Sequence, residues 1–233
     1  MMKNEKKTTE GRIARIRRWV VIVLPVIMTV EVALAVYEGL WLSAFTVVII
    51  MAIVLSPIVL SKRLQLYIPS EFQVLAIVFM FAAIFLGEIR NFYERFWWWD
   101  IALHTSSGLL LGIVGFLLVY VLNEHERIDL HMHPRFVALF AFVFAVAVGA
   151  LWEIFEFGMD RIFGTNMQKP MLGDPSGLTD TMWDLIVDAL GALAISAFGW
   201  WYMKQGKRSF IEEWIQKFIE KNPRLFSSRV KNG

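Results

Sequence analysis

Residues 136–160 read FVALFAFVFAVAVGALWEIFEFGMD, and this stretch decides the fold. No charge interrupts it from Phe136 to Trp152; Glu153, Glu156 and Asp160 then follow at helical spacing. About 20 mostly apolar residues cross a bilayer as an α-helix. Phe136–Phe157 therefore reads as a spanning helix with one acidic end. The same reading applies outward along the chain to Trp19–Tyr37, Trp41–Leu60, Phe72–Gly87, Ile101–Leu122 and a stretch near Trp183–Met203. The third is short unless Glu88 to Phe92 continue it, which the pattern predicts. Six helices satisfy every backbone group internally, so the expected fold is all-α, a polytopic integral membrane helical bundle.

Composition agrees. The chain is 57% hydrophobic and 19% charged, with mean hydropathy +0.55, against about 45–50% and about 25% in soluble domains. The absence of cysteine removes thiolate ligands and thiol nucleophiles. No P-loop, Rossmann fingerprint or serine-centred nucleophile motif is present. The expected organisation is a basic segment over 1–18, a six-helix membrane domain over 19–203 and an amphipathic tail over 204–233. A basic start, an apolar run and Ala33-Leu34-Ala35 resemble a signal peptide; five further spans favour a retained anchor.

Lys and Arg set the orientation. With the N-terminus inside, 19 of the 23 fall on the inner side and only Arg90, Arg95, Arg161 and Lys169 on the outer. That predicts N-in, C-in in the cytoplasmic membrane. Anionic headgroups, not nucleic acid, are the expected partner of these basic residues. Tryptophans fall at both predicted interfaces, as anchors do. In the tail, Phe210, Ile211, Trp214, Ile215, Phe218 and Ile219 share a face, which predicts a helix lying on the cytoplasmic leaflet.

The acids distribute oppositely. Twelve of the 21 fall in outer halves or outer loops, leaving about −8 outside and about +10 inside. Three sets share helix faces: Asp100 with His104; Glu153, Glu156 and Asp160; Asp180, Asp184 and Asp188. Counting back from the inner ends puts Asp184 at the membrane boundary, and His104 and Asp188 about one turn inside it. A carboxylate at mid-membrane costs about 2.5–3.5 kcal/mol, so such residues pair, share protons or bind a cation. Arg90 is one of four outer basic residues available as a partner. Glu31 sits within span one and needs a partner of its own.

Oxygen ligands with one imidazole suit Mg²⁺, Mn²⁺, Ca²⁺, Zn²⁺ or iron. The expected ligands are Glu153, Glu156, Asp184 and Asp188, with His104 as ligand or general base oriented by Asp100. Asp160, Asp180, Gln168 and Arg90 are the expected supporting residues. Asp180 also reads as a helix cap and Asp160 as a loop residue. The same constellation reads equally as a proton or cation site without chemistry. The segment Gly158–Met182, with Gly173-Asp174-Pro175-Ser176-Gly177 as a turn, reads as a loop from which Asn166 and Gln168 reach over the acids. His125, His131 and His133 read as a solvated loop. Ser107, Gly108, Gly149 and Gly191 suit close helix approach.

At these residues the chain resembles the bacterial inner-membrane YjdF-like family. The blocks are Trp99-Asp100 with His104 and Gly108; Trp152-Glu153-x-x-Glu156-Phe157-x-x-Asp160; and Asp180-Thr181-x-x-Asp184-x-x-x-Asp188-x-x-Gly191. A looser likeness is to the VanZ-like membrane proteins, associated with glycopeptide-antibiotic resistance. Asp188 stands where those carry Asn, and Glu156 where they carry Gln, which makes this site more acidic. Two function classes stay open: a metal-dependent enzyme on a lipid or lipid-linked envelope substrate, and a cation- or proton-coupled transporter or ion-binding protein.

Overall fold

The computed structural model describes residues 2–63, 65, 67–123, 132–205 and 210–223; the side chains of 2–10, 120–123, 210–213 and 215–216 lie outside that description. Among the described residues six helices are long and apolar enough to cross a membrane: Gly11–Tyr37, Trp41–Arg63, Ser70–Ile89, Trp99–Val119, Pro134–Phe163 and Leu178–Lys204. They belong to α1 (Met2–Tyr37), α2 (Trp41–Arg63), α3 (Ser70–Met80) with its π-helical continuation Phe81–Ile89, α5 (Trp99–Asn123), α6 (Pro134–Phe163) and α7 (Leu178–Lys204). Two further helices are α4 (Phe92–Arg95) and α8 (Phe210–Lys221). Among the described residues no β-strand forms beyond an isolated bridge, Met171 with Asp174. The chain is a polytopic helical membrane protein.

Polarity is inverted relative to a soluble protein. Leu42 is 80% exposed and Ile154 65%, whereas Asp184 is 1% and Glu153 4%. Water would not tolerate that apolar surface, and lipid does. In lipid no hydrophobic force drives helices together, so close packing of small residues has to do so.

The chain divides into two compact units, Met1–Phe96 and Trp97–Gly233. In the first, α1, α2, α3 and the π-helical segment pack around Met28, Val47, Val54, Ile77 and Phe85. The third span does run past Gly87, but only to Ile89, and it widens to π geometry on the way. The Arg90 N–H reaches back to the Phe85 carbonyl at 3.1 Å, a five-residue step, and Asn91 then turns left-handed at φ 54° and ends the run. Glu31 finds its partner here: Arg90 Nη1 donates to both of its carboxylate oxygens, at 3.1 and 3.3 Å.

In the second unit α5, α6 and α7 each pack on the other two, and α8 lies against α5. On α6 the buried stripe runs Val137, Ala141, Ala145, Gly149, Glu153, Glu156, so one face passes from small and apolar to acidic along its length. On α7 the stripe Asp180, Asp184, Asp188, Gly191, Ile195, Gly199 does the reverse. Antiparallel packing therefore brings the acidic ends together. The closest α5–α7 approach is reciprocal: a Cβ on Gly108 would meet the Asp188 carbonyl, and one on Gly191 the Thr105 carbonyl.

Pro134 opens α6, its missing N–H costing nothing in the first turn. The left-handed Gly164, at φ 66°, closes it. Helix α6 thus outruns its expected end at Phe157, and α7 starts at Leu178, ahead of the expected Trp183. The expected 158–182 connection shrinks to 164–177, and Asp160 and Asp180 lie on helices. In α8 Phe218 is buried, as is Asn222 just beyond it, whose Nδ2 donates to the Phe218 carbonyl at 2.7 Å. His133 is exposed, whereas His125 and His131 lie outside the described residues.

Candidate functional site

One imidazole organises the acidic end of the second unit. Asp100 occupies the first turn of α5, and His104 follows one turn later on the same face. His104 Nε2 lies 3.6 Å from Asp100 Oδ1, 3.8 Å from Asp184 Oδ2 and 3.9 Å from Glu153 Oε1. Its Nδ1 lies 3.2 Å from Asp188 Oδ2. Three helices thus deliver four carboxylates to one ring, three on the Nε2 side and one on the Nδ1 side.

The two sides differ in how their oxygens are used. Asp188 is satisfied: besides the imidazole it accepts a hydrogen bond from the Ser107 hydroxyl at Oδ1. By contrast, no donor meets hydrogen-bond geometry at any of the four oxygens of Glu153 and Asp184. The Thr181 hydroxyl is in interaction range of Glu153, and its oxygen accepts from Gln168 Nε2 at 2.7 Å. Buried polar atoms left in this state cost about 1–3 kcal/mol each, more when charged.

The spacing allows either ion pairs to a protonated imidazole or a shared cation. Ligand atoms of Asp100, His104 and Asp184 all lie within 4.8 Å of one another. Separations of 3.6–3.9 Å are too long for hydrogen bonds. Two ligands on one Mg²⁺ or Mn²⁺ stand about 3.0 Å apart when adjacent and about 4.2 Å when opposite, and on Ca²⁺ about 3.4 and about 4.8 Å. The separations of 3.6–3.9 Å match neither Mg²⁺ value; they are a few tenths of an ångström longer than neighbouring ligands on Ca²⁺ or on four-coordinate Zn²⁺, at about 3.4 Å. Asp100, His104 and Asp184 form the group that could hold a divalent ion, and Glu153 stands beside it, 3.9 Å from Nε2.

The remaining expected residues have other partners. Glu156 is buried on the α6 stripe, and its Oε1 accepts from Trp152 Nε1 at 2.8 Å. Asp160 gathers the loop: its carboxylate accepts from the Thr165 hydroxyl and from the Met167 and Gln168 amides at 2.6–2.9 Å. Asp180, 3% exposed, accepts from the Lys169 amide at 2.7 Å. Asp160, Asp180 and Gln168 therefore strap the 164–177 loop to the ends of α6 and α7. The neighbouring turn is held by Asp174, whose carboxylate accepts from Ser176 and Thr179 and is thereby kept well below the ordinary carboxylate range. The Arg90 guanidinium is engaged by Glu31. Ser107, which the sequence marks only as a small packing residue, stands three residues after His104 on the same helix face and reaches Asp188 from there.

These features define a multi-pass helical membrane protein carrying a buried acid–imidazole cluster. The chain belongs to the family described as predicted membrane protein (DUF2238), which matches residues 16–205 and so spans all six membrane-length helices. A Thermotoga maritima protein, described only as uncharacterized, is 31% identical to it over 160 residues, covering 69% of this chain and 72% of that one. No solved structure matches.

Proposed function

We propose that this chain is a YjdF-like protein of the bacterial cytoplasmic membrane that holds a divalent cation between α5, α6 and α7 near the outer face. The observation that carries the reading is Asp184, 1% exposed and with neither oxygen hydrogen-bonded, its Oδ2 standing with Glu153 Oε1 and Asp100 Oδ1 beside His104 Nε2. The 19-to-4 division of Lys and Arg supports the orientation, which puts the acidic end outside. His104, Asp100, Asp184 and Glu153 hold the ion in this reading. Asp160 and Asp180 keep the 164–177 loop tied across the helix ends.

The cation supplies Lewis acidity and, where it carries a water, a nucleophile at neutral pH. The substrate class is a lipid or a lipid-linked envelope molecule. Support comes from the apolar outer surface of the bundle and from Asp100, whose side chain is 20% exposed and the most open of the ring. Beyond the ring the buried faces of α5 and α7 carry Ile113, Phe116, Ala192 and Ile195, a poor path for a carried ion.

A second reading, ion binding without chemistry, is favoured by how closed the ring is, with Glu153, Asp184 and Asp188 all under 5% exposed. Elemental analysis of the purified protein beside a Glu153→Gln/Asp184→Asn double variant tests the site. A stoichiometric divalent metal in the wild type alone is expected; near-zero metal in both refutes it. Uptake of radioactive Mn²⁺ or Zn²⁺ into proteoliposomes separates a carrier from a one-sided site.

A further inference from the structure

We infer that Asp188 is not a ligand of the site but the positioning residue that fixes the His104 ring, with Ser107 holding Asp188 in turn. The inference rests on the cation reading above and assigns the four ring carboxylates two distinct jobs.

The first observation is hydrogen bonding. His104 Nδ1 and Asp188 Oδ2 are hydrogen-bonded at 3.2 Å; with Asp188 ionised the carboxylate only accepts, so in this assignment the Nδ1–H donates. The Ser107 hydroxyl donates to the other oxygen, Oδ1. Both oxygens of Asp188 are therefore occupied from α5, whereas those of Asp184, one turn away on the same helix, have no partner. A carboxylate on the far nitrogen of a ligating histidine fixes its tautomer and ring orientation and raises its basicity as a ligand. With Nδ1 protonated, a neutral ring turns its Nε2 lone pair to the other three carboxylates.

The second observation is steric. A Cβ on Gly149 of α6 would stand 2.7 Å from Asp188 Oδ2. The Asp188 carbonyl meanwhile lies where a Gly108 Cβ would go. The carboxylate is wedged between a bare stretch of α6 and the tightest point of the α5–α7 contact. Gly149 leaves space for the Asp188 carboxylate and Gly108 for its backbone, and together they let an acid stand behind the imidazole.

The test uses the full chain in detergent with Co²⁺ alone as an optical probe. Asp184→Asn is expected to weaken Co²⁺ binding more than about 100-fold and to alter the visible bands, because a ligand is lost. Asp188→Asn is expected to weaken it about 10–100-fold with wild-type band positions, because only the support is lost. Gly149→Ala, which pushes on Asp188, should weaken binding in the same way. Altered bands in Asp188→Asn, or unchanged affinity, would overturn the assignment.

A second readout does not need the ion. In protein labelled with ¹⁵N-histidine, the hydrogen-bonded Nδ1–H of His104, assigned by its loss in His104→Gln, should be present with or without cation. It should vanish or move upfield in Asp188→Ala, and its persistence there refutes the positioning role. If the wild type takes up no Co²⁺, the cation reading falls and the Nδ1–H signal alone decides this one. Should the Asp188 variants fail to fold, Ser107→Ala removes the same support from one step further out: the expected result is weaker Co²⁺ binding with unchanged bands, and wild-type affinity overturns the inference.

Discussion

Replacing Asp184 by Asn should leave the cation-free protein nearly as stable as the wild type while abolishing stabilisation by a divalent ion. Without a cation, the Asp184 carboxylate faces Asp100 with ligand atoms no more than 4.8 Å apart, a repulsion of about 3.5 kcal/mol at an effective dielectric of about 20. It also faces His104 Nε2 at 3.8 Å, an attraction of about 4.4 kcal/mol when the ring is protonated. The two nearly cancel. Neither Asp184 oxygen loses a hydrogen bond on substitution. In EDTA the variant should therefore be less stable than the wild type by no more than about 1 kcal/mol, or about 2–4 °C in Tm for a chain of this size, and more stable than it where the ring is neutral and only the repulsion remains. A cation at 100 times its Kd adds about 2.7 kcal/mol to the wild type, a rise of about 5–11 °C. The variant lacks one anionic ligand and should gain only a small part of that. Intrinsic fluorescence of the ten tryptophans follows melting of detergent-solubilised protein in EDTA and in Mn²⁺ or Zn²⁺. Equal cation-induced shifts in the two proteins, or none in the wild type, would refute the reasoning.

Other expectations follow from the same packing. Gly191→Ala places a methyl against the Thr105 carbonyl and should cost about 1–3 kcal/mol by forcing α5 and α7 apart, read as a lower Tm without change in the 164–177 loop. The depressed pKa of Asp174 gives its turn stability that is present above the unfolded carboxylate pKa, about 3.9, and is lost only as pH falls through the lower folded value. Hydrogen exchange at Ser176 and Thr179 should thus stay protected from pH 5 down past pH 4, and loss of protection centred near pH 3.9 would contradict this. Asn166→Cys, in a chain with no native cysteine, should be labelled by an impermeant maleimide in cells whose inner membrane is intact. Labelling only after lysis would reverse the orientation.

Much of the architecture was legible because lipid imposes a simple rule. Backbone groups must pair within the segment, so long apolar runs have one outcome, and all six spans lie on the helices they predicted. Helix ends were less legible. The Gly158–Met182 segment read as loop because Asp160 and Asp180 are polar, yet Gly164 is what ends α6, and both acids point back to hold the loop. The π-helical turn of the third span left no pattern in its apolar sequence, since every residue from Phe81 to Gly87 suits lipid in either register.

The sequence by itself determined that acids and an imidazole occur at one level on three helices, because spacing along a helix fixes the face and depth of a side chain. It could not apportion them. Asp184 and Asp188 are alike in composition and one turn apart on α7, and only the rotation of α5 against α7 decides which nitrogen of His104 each one meets. That rotation is set where Gly108 and Gly191 let two backbones touch. It leaves Asp188 bonded to Nδ1 and to Ser107, and leaves Asp184 with Oδ2 beside Nε2 and neither oxygen hydrogen-bonded.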